Sequence, residues 1–292
     1  MIHYKKSAGD IAFKIILALI MTSIVLLTLY PLWYIVVASF NEGLDFARGG
    51  VYFFPRKFTL KNYSIVFAND DLLRGFIITI ARTVIGSVTH TLFTAIFAYG
   101  FMQKKLKFKK LYFGLCVFTM FVNGGMIPTY IIITELGFQD NFLVYIIPTL
   151  FSFWDGLIFV NFFSGIPDSI YESARIEGAN EYRIFYQIVI PLSIPGFAAI
   201  LMFSVVGHWN AYFDSMLYMV RNTEMRTVQH IIMLMIKNKN TTNTGVLLPD
   251  SNVTSDAIQF ASMVVATIPV VIAFPFLQKY FIAGVLTGSV KE

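Results

Sequence analysis

Long apolar runs separated by short polar segments make up most of this chain. Five of the runs contain no Asp, Glu, Lys or Arg: residues 15–41, 83–103, 111–134, 184–213 and 257–278. A sixth, residues 141–167, contains only Asp155 among those residue types. Each run exceeds the roughly 20 residues that a helix needs to cross a hydrocarbon layer about 30 Å thick. The pattern therefore predicts six transmembrane helices, over about residues 14–40, 76–102, 111–134, 142–166, 185–212 and 257–280.

The composition agrees with this pattern. Of the 292 residues, 57% are hydrophobic, 16% are aromatic and only 13% are charged, which is too apolar for a soluble domain of this size. The chain is predicted to be an all-α integral membrane protein with a single transmembrane domain over residues 1–292. Its one cysteine, Cys116, excludes an intrachain disulfide. The first apolar run is too long for the core of a signal peptide and is interpreted as an anchor.

The positive charges predict the orientation in the membrane. The loop after the third run holds only the acids Glu135 and Asp140, whereas the loop after the second holds five lysines and no acid: Lys104, Lys105, Lys107, Lys109 and Lys110. Cytoplasmic loops are enriched in Lys and Arg, so both termini, the lysine loop and a polar segment at about 167–184 are predicted to be cytoplasmic. The loops at about 42–74 and 214–256 are predicted to face outward. The net charge of +5 is then a topology signal and does not indicate nucleic-acid binding.

The polar segment 167–184 has the signals of two short helices joined by a turn. Ser169 and Glu172 have the spacing of a capping box at the start of the first helix. Gly178 suits the left-handed position that ends a helix, and Asn180 can cap the next one. Small residues leave a narrow surface on this segment, suited to the groove of another protein.

The same segment resembles a known signature. Glu172-Ser173-Ala174, three residues, Gly178, nine residues and Ile188-x-Ile190-Pro191 are similar to the EAA motif of ABC importer permeases, which reads E-A-A, three residues, G, nine residues, I-x-L-P. The two departures are Ser173 and Ile190. The resemblance implies a coupling helix between the fourth and fifth spans that docks on an ATPase subunit. The coupling residues would be Glu172, Ser173, Ala174, Glu177, Gly178 and Ala179.

Other motifs are similar to those of MalG-like carbohydrate importer permeases, among them Gly124-Gly125-Met126-Ile127-Pro128-Thr129-Tyr130 and Gly207-His208-Trp209-Asn210. This resemblance implies a permease that moves a sugar or oligosaccharide by alternating access across the bacterial cytoplasmic membrane. It also implies a heterodimer with a second permease, two ATPase subunits that hold ATP and Mg²⁺, and an extracytoplasmic solute-binding protein. No cofactor is implied for this chain itself.

Polar groups at membrane depth are the candidates for a substrate path. Asp155 is the strongest, because an ionisable group in hydrocarbon is costly unless it is paired, protonated or in contact with water; a structural ion pair is the alternative. Asn123 and Gly124 mark a broken helix on the path or a closely packed one. The end of the fifth run offers rings and hydrogen-bonding groups for a sugar, although an aromatic belt would explain its rings equally well. Its members are His208, Trp209, Asn210 and Tyr212.

Two basic residues lie within the second predicted span. Arg82 is expected to snorkel to the outer surface, and His90 to face protein or water.

No Gly-Lys, His-x-x-x-His, Cys-x-x-Cys or G-x-S-x-G pattern occurs, so neither a P-loop nor a metal or catalytic site is predicted. The alternatives are a permease for a non-sugar solute, a secondary transporter, and an intramembrane enzyme that uses Asp155 with His90. A secondary transporter has no use for a docking loop of this pattern, and Asp155 and His90 have no recognisable catalytic spacing.

Overall fold

The computed structural model describes residues 8–238 and 253–289. Within these ranges the chain forms no β-strand, and the all-helical prediction is confirmed. In chain order the helices are α1 (Ala8–Ser39), α2 (Gly43–Ala47), α3 (Lys61–Ala68), α4 (Asp70–Met102), α5 (Lys109–Phe121), α6 (Met126–Glu135), α7 (Phe153–Ser164), α8 (Asp168–Ile176), α9 (Glu181–Ile184), α10 (Ile190–Leu192), α11 (Ile194–Asn210), α12 (Phe213–Tyr218), α13 (Val228–Asn238) and α14 (Ser255–Ser289). Two 3₁₀ helices, Phe142–Tyr145 and Thr223–Met225, and a π-helical turn, Phe185–Val189, lie between them.

Three helices are long and apolar enough to cross a membrane: Gly9–Ser39 within α1, the whole of α4, and Ser255–Ala273 within α14. They correspond to the first, second and sixth predicted spans, although α4 begins and α14 ends several residues beyond the predicted limits. The protein itself buries none of the most apolar part of α1. A helix that is apolar all round and uncovered by protein needs lipid or another subunit around it.

The third predicted span is not a straight helix, because α5 and α6 meet at an angle of 111°. At the bend, the side-chain Oδ1 of Asn123 accepts a hydrogen bond of 2.8 Å from the backbone N–H of Gly125. The φ angle of Gly125 is +90°, a conformation that residues with a Cβ rarely adopt. The sequence left open a broken or a closely packed helix, and the structure has a broken one.

The fourth and fifth predicted spans are interrupted as well. The fourth contains α7, whose 12 residues extend only about 18 Å and so fall short of the hydrocarbon thickness. In the fifth, the segment Glu181–Leu192 meets α11 at 82°. Pro191 and Pro195 flank this bend, and each removes a backbone donor from the helix. By length and composition the described residues provide three spans, or up to five if each bent pair counts as one.

The described residues form two compact units. The first combines the chain up to Asn69 with Met235–Val265, and the second combines Asp70–Leu234 with the chain from Ala266 onward. In the first unit, the buried Asn62 donates from Nδ2 to the carbonyl oxygens of Ser39 (2.8 Å) and Asn41 (2.9 Å), which ties α3 to the end of α1. The single transmembrane domain stays a prediction, and residues 239–252 of the predicted outer loop lie outside the described residues.

The core of the second unit fixes the position of the polar segment 167–184. Its buried members include Ala95 and Ala98 of α4 and the rings of Phe159 and Phe163 of α7. Small residues on α4 let neighbouring helices approach closely. Tyr171 of α8 belongs to the same core and donates from its hydroxyl to the carbonyl oxygen of Phe163 at 3.2 Å. The polar segment is therefore packed on the helices and is not a free loop.

Candidate functional site

The turn between α8 and α9 forms around Gly178, whose φ angle is +79°. The backbone N–H of Gly178 donates to the carbonyl oxygen of Arg175 (3.1 Å), and that of Ala179 donates to Ala174 (2.9 Å). These are the two hydrogen bonds of a Schellman motif. The Oδ1 of Asn180 then accepts from the backbone N–H of Arg183 at 2.8 Å and caps α9. The predicted left-handed turn and the predicted cap are both confirmed.

The predicted capping box at the start of α8 is wrong. The helix begins at Asp168, its N-cap is Pro167, and no side chain caps it. Ser169 consequently lies inside the first turn and Glu172 in the second. Pro167 sets the start of the helix because its φ of −57° leads directly into helical geometry and its ring offers no acceptor. Glu172 is exposed and makes no capping contact.

The predicted coupling residues divide into packed and exposed groups. Ala174 is buried and packs α8 on the core, and Ala179 is half-buried. The others are exposed: Glu172, Ser173, Glu177 and Gly178. Two apolar side chains nearby are 86% (Ile176) and 79% (Tyr182) exposed. The sequence predicted Ile176 as part of a docking surface but not Tyr182. Exposed apolar groups on a polar segment are typical of a surface that contacts another protein.

Glu181 was also missed, and its side chain contacts two other helices. Its Oε2 accepts a hydrogen bond from the Tyr99 hydroxyl on α4, and its Oε1 forms a 3.0 Å ion pair with Nε of Arg175 on α8. The Tyr99 hydroxyl, and after it Arg175, lower the pKa of Glu181 below its ordinary value. A pKa lowered by folding means that the carboxylate contributes stability at neutral pH, and that this contribution is lost only as the pH falls through the lowered pKa.

A second candidate site is a cavity of about 250 Å³ in the second unit. Residues from α4, α7, α11 and α12 line it. Asp155 and His208 were both predicted for a substrate path, and the structure brings them to the same cavity. Its other titratable and charged groups were not predicted as path residues: Arg82, His90 and Asp214.

The predicted snorkelling of Arg82 to the outer surface is wrong. Only 1% of this residue is exposed. Its Nη1 and Nη2 lie 3.0 and 2.6 Å from the two carboxylate oxygens of Asp214, and its guanidinium lies 4.4 Å from the centre of the Tyr145 ring. A bidentate carboxylate and an aromatic face together hold the charge inside the protein.

His90 and Asp155 form a second pair at this cavity. Their contacts determine how many protons the imidazole and the carboxyl group carry together. His90 Nδ1 lies 2.8 Å from the carbonyl oxygen of Thr149, and Nε2 lies 3.1 Å from Oδ2 of Asp155. A carbonyl oxygen only accepts, so Nδ1 carries a hydrogen and donates it. The contact at Nε2 then needs one further proton, on the ring or on the carboxyl. The expectation that His90 faces protein is confirmed, and Asp155 has the paired partner that its position demands.

Between these two pairs, His208 lies against Gly86. A Cβ added at Gly86 would lie 2.5 Å from Cε1 of His208, so this position has no room for a larger residue. Gly86 is about one helical turn from Arg82 and one from His90. Arg82 and His90 of α4 therefore lie on one face of that helix along the cavity, and His208 of α11 packs between them.

The remaining path candidates lie elsewhere. Trp209 is buried, donates from Nε1 to the carbonyl oxygen of Ala266 at 3.0 Å, and lines a separate apolar cavity of about 170 Å³. Asn210 and Tyr212 are exposed at the end of α11 and just after it. The bend between α5 and α6 contains the last two, Asn123 and Gly124. The roles of all these residues in a substrate path stay predictions.

Replacing Asp155 with asparagine is expected to leave the protein folded and assembled but to change the uptake that the resemblance to importer permeases implies. The amide can donate to Nε2 of a neutral His90, so the contact survives without the extra proton. The amide cannot take up or release that proton, and we expect uptake to change by about tenfold, which corresponds to about 1.4 kcal/mol. Size-exclusion chromatography measures assembly and radiolabelled uptake measures transport. Unchanged uptake of several sugars would assign Asp155 to helix packing alone.

Comparison with known proteins identifies the family. The chain is 34% identical over 265 residues to Protein LplC of Bacillus subtilis, which covers 91% of this chain and 90% of that protein. It is 33% identical over 272 residues to the polygalacturonan/rhamnogalacturonan transport system permease protein YtcP of the same organism, with 91% and 93% covered. It is 27% identical over 277 residues to the sn-glycerol-3-phosphate transport system permease protein UgpE of Yersinia pestis, with 91% and 93% covered. Of the protein-family models compared with the chain, none matches.

Solved structures agree. A bacterial ABC transporter involved in the import of the acidic polysaccharide alginate contains a chain that matches with a TM-score of 0.88 and 29% identity, over 96% of this chain and 100% of that one. A bacterial alginate ABC transporter in complex with an alginate pentasaccharide-bound periplasmic protein matches with a TM-score of 0.59 at 12% identity, over 94% and 96%, and supports the fold alone. This chain belongs to the permease subunits of sugar ABC importers, as its resemblance to that family implied.

Proposed function

We propose that this chain is one of two different permease subunits in an ATP-driven importer that moves an oligosaccharide by alternating access across the bacterial cytoplasmic membrane. A second permease, two ATPase subunits with ATP and Mg²⁺, and an extracytoplasmic solute-binding protein complete the transporter. The observation that carries the proposal is the segment α8–α9. Its inner side is packed on the core through Tyr171 and Ala174, whereas Ile176 and Tyr182 are uncovered within the described chain.

The names of related proteins guide the choice of substrate. One relative is named for polygalacturonan and rhamnogalacturonan, and the solved transporter with the similar fold imports an acidic polysaccharide. We therefore propose an oligosaccharide, with acidic oligosaccharides as the first group to test. The relative named for sn-glycerol 3-phosphate makes a phosphorylated non-sugar solute the second candidate.

Uptake into proteoliposomes distinguishes these substrates. The vesicles contain this chain, its partner permease, the ATPases and the solute-binding protein, and each candidate is supplied as a radiolabelled compound. We expect ATP-dependent accumulation of acidic oligosaccharides and little accumulation of sn-glycerol 3-phosphate. Accumulation of the phosphate ester alone would favour the second candidate.

We propose six membrane spans with both termini and the segment α8–α9 on the cytoplasmic side. Two ion pairs support this arrangement. Lys104 in the lysine loop pairs with Asp168 of α8 at 2.6 Å, which supports the proposal that these two segments share one side of the membrane. Arg74 near the start of α4 pairs with Glu224 at 3.0 Å, which supports the proposal that the beginning of α4 and the segment after α12 share the other side.

Cysteine labelling tests this topology. In a Cys116→Ser background, a cysteine in place of Lys107 is expected to resist impermeant thiol reagents in intact cells and to react after permeabilisation. A cysteine in place of Asn240, which lies outside the described residues, is expected to react in intact cells. The reverse labelling pattern would contradict the proposed orientation.

A further inference from the structure

One uninterrupted helix connects the two candidate sites. Tyr99, near the C-terminal end of α4, contacts Glu181, while Arg82 and His90 on the same helix line the cavity. At 1.5 Å per residue, Arg82 lies about 25 Å along the helix axis from Tyr99. A displacement passed to α4 at Tyr99 therefore reaches both buried ion pairs of the cavity without crossing a flexible joint.

The helix α8, in contrast, is connected to the chain by a joint at each end. Residues 165–167 separate it from α7, and the left-handed turn at Gly178 separates it from α9. A few residues at the ends of helices can absorb large changes in backbone angles, which is how hinges work. The backbone alone would therefore let α8 tilt without moving the rest of the bundle.

Glu181 connects α8 to α4 through its side chain, because its two carboxylate oxygens contact two different helices. Oε2 accepts from the Tyr99 hydroxyl on α4, and Oε1 pairs with Nε of Arg175 on α8. Tyr99 is itself buried, and its ring centre lies 5.2 Å from that of Phe185, so its hydroxyl is fixed in position. Nη2 of Arg175 reaches Oε1 of Gln103, the residue after the end of α4, at 3.4 Å.

The other ion pair between these segments is weaker. Lys104 and Asp168 are 80% and 65% exposed, and exposed pairs contribute little to stability because water screens them. The pair of Glu181 with Arg175 is also 53% and 44% exposed, but the Glu181 carboxylate has a second donor, Tyr99, that belongs to the core.

We infer that Glu181 is a positioning residue that fastens α8 to α4, so that a movement of α8 driven by an ATPase subunit is transmitted along α4 to the cavity. This inference rests on the proposed function. Loss of the Glu181 contacts leaves both candidate sites intact, since α8 keeps its exposed face and the cavity keeps its ion pairs. The expected defect is ATP hydrolysis that no longer drives import.

The test compares Glu181→Gln and Tyr99→Phe with the control Glu135→Gln. Glu135 is also an acid, but it is exposed at the end of α6, lies outside the segment α8–α9, and makes no side-chain hydrogen bond or ion pair within the described residues. Each variant is purified with its partners and reconstituted in proteoliposomes. ATPase bound, ATP hydrolysed and oligosaccharide imported are then measured on the same preparation.

We expect Glu181→Gln to bind the ATPases normally and to raise the ATP used per molecule imported by about fivefold or more, the range of measured couplings between sites. Tyr99→Phe should raise the same ratio, and the double variant should be no worse than Glu181→Gln alone. A ratio equal to that of Glu135→Gln, or loss of ATPase binding by Glu181→Gln, would overturn the inference. Absence of ATP-driven import by the unmodified transporter would instead overturn the proposed function.

Discussion

Replacing Arg82 with methionine is expected to destabilise the purified protein by about 3–5 kcal/mol, the usual cost of removing one partner of a buried ion pair. The substitution leaves the Asp214 carboxylate without its bidentate partner and removes the cation from the face of Tyr145. Because 24% of the Asp214 side chain is exposed, water can hydrate part of its charge, and the lower end of that range is expected. Thermal unfolding in detergent measures the loss.

The matched control is Arg74→Met, two turns earlier on the same helix. Arg74 also pairs with a carboxylate, that of Glu224 at 3.0 Å, but the two side chains are 48% and 73% exposed. A pair of that kind contributes about 1 kcal/mol or less. The double variant Arg82→Met with Asp214→Leu should recover much of the stability, since no unpaired charge stays buried. Equal melting temperatures for Arg82→Met and Arg74→Met would contradict this account.

Gly178→Asp is expected to abolish import while leaving the protein folded and inserted. No atom of the described chain lies within 4 Å of the Cβ that the substitution would add, so the cost within this chain is the left-handed backbone alone, about 1–2 kcal/mol. The new carboxylate would project from the exposed turn beside Ile176 and Tyr182 into the surface proposed to dock on the ATPase. Bound ATPase and oligosaccharide uptake are the measurements.

Gly137 supplies the control for the backbone cost. It has a φ angle of +75°, nothing within 4 Å of an added Cβ, and a position just after α6, far along the chain from α8. Gly137→Asp should therefore be destabilised to the same degree as Gly178→Asp and still import. If both variants lose import equally, backbone strain is the cause; if Gly178→Asp imports normally, the segment α8–α9 is not the coupling element.

Local signals in the sequence predicted local geometry well. Gly178 and Asn180 have the predicted conformations because a Schellman turn and a side-chain cap depend on residues within one helical turn. The capping box failed for a local reason too, since Pro167 begins α8 earlier than the Ser169–Glu172 spacing implied. Uncharged runs showed that the chain is apolar throughout, but they could not show the 111° and 82° bends, which depend on the way helices pack.

Long-range pairings were beyond the sequence. Arg82 and Asp214 are 132 residues apart, and His90 and Asp155 are 65 apart. A charge within an apolar run indicates that some partner exists, as it did for Asp155, but it does not identify that partner. For Glu181, even this signal was missing, because an acid in a polar segment needs no partner. Its role emerged only from the contacts with Tyr99 and Arg175.

The most direct test of the account is the energy source of import. Proteoliposomes containing this chain with its partner permease, ATPases and solute-binding protein are loaded with ATP or with a non-hydrolysable analogue, with and without an imposed proton gradient. The account predicts accumulation of oligosaccharide only with hydrolysable ATP and only when the solute-binding protein is present, unaffected by a protonophore. Accumulation that follows the proton gradient and needs neither ATP nor the solute-binding protein would contradict it and would favour a secondary transporter.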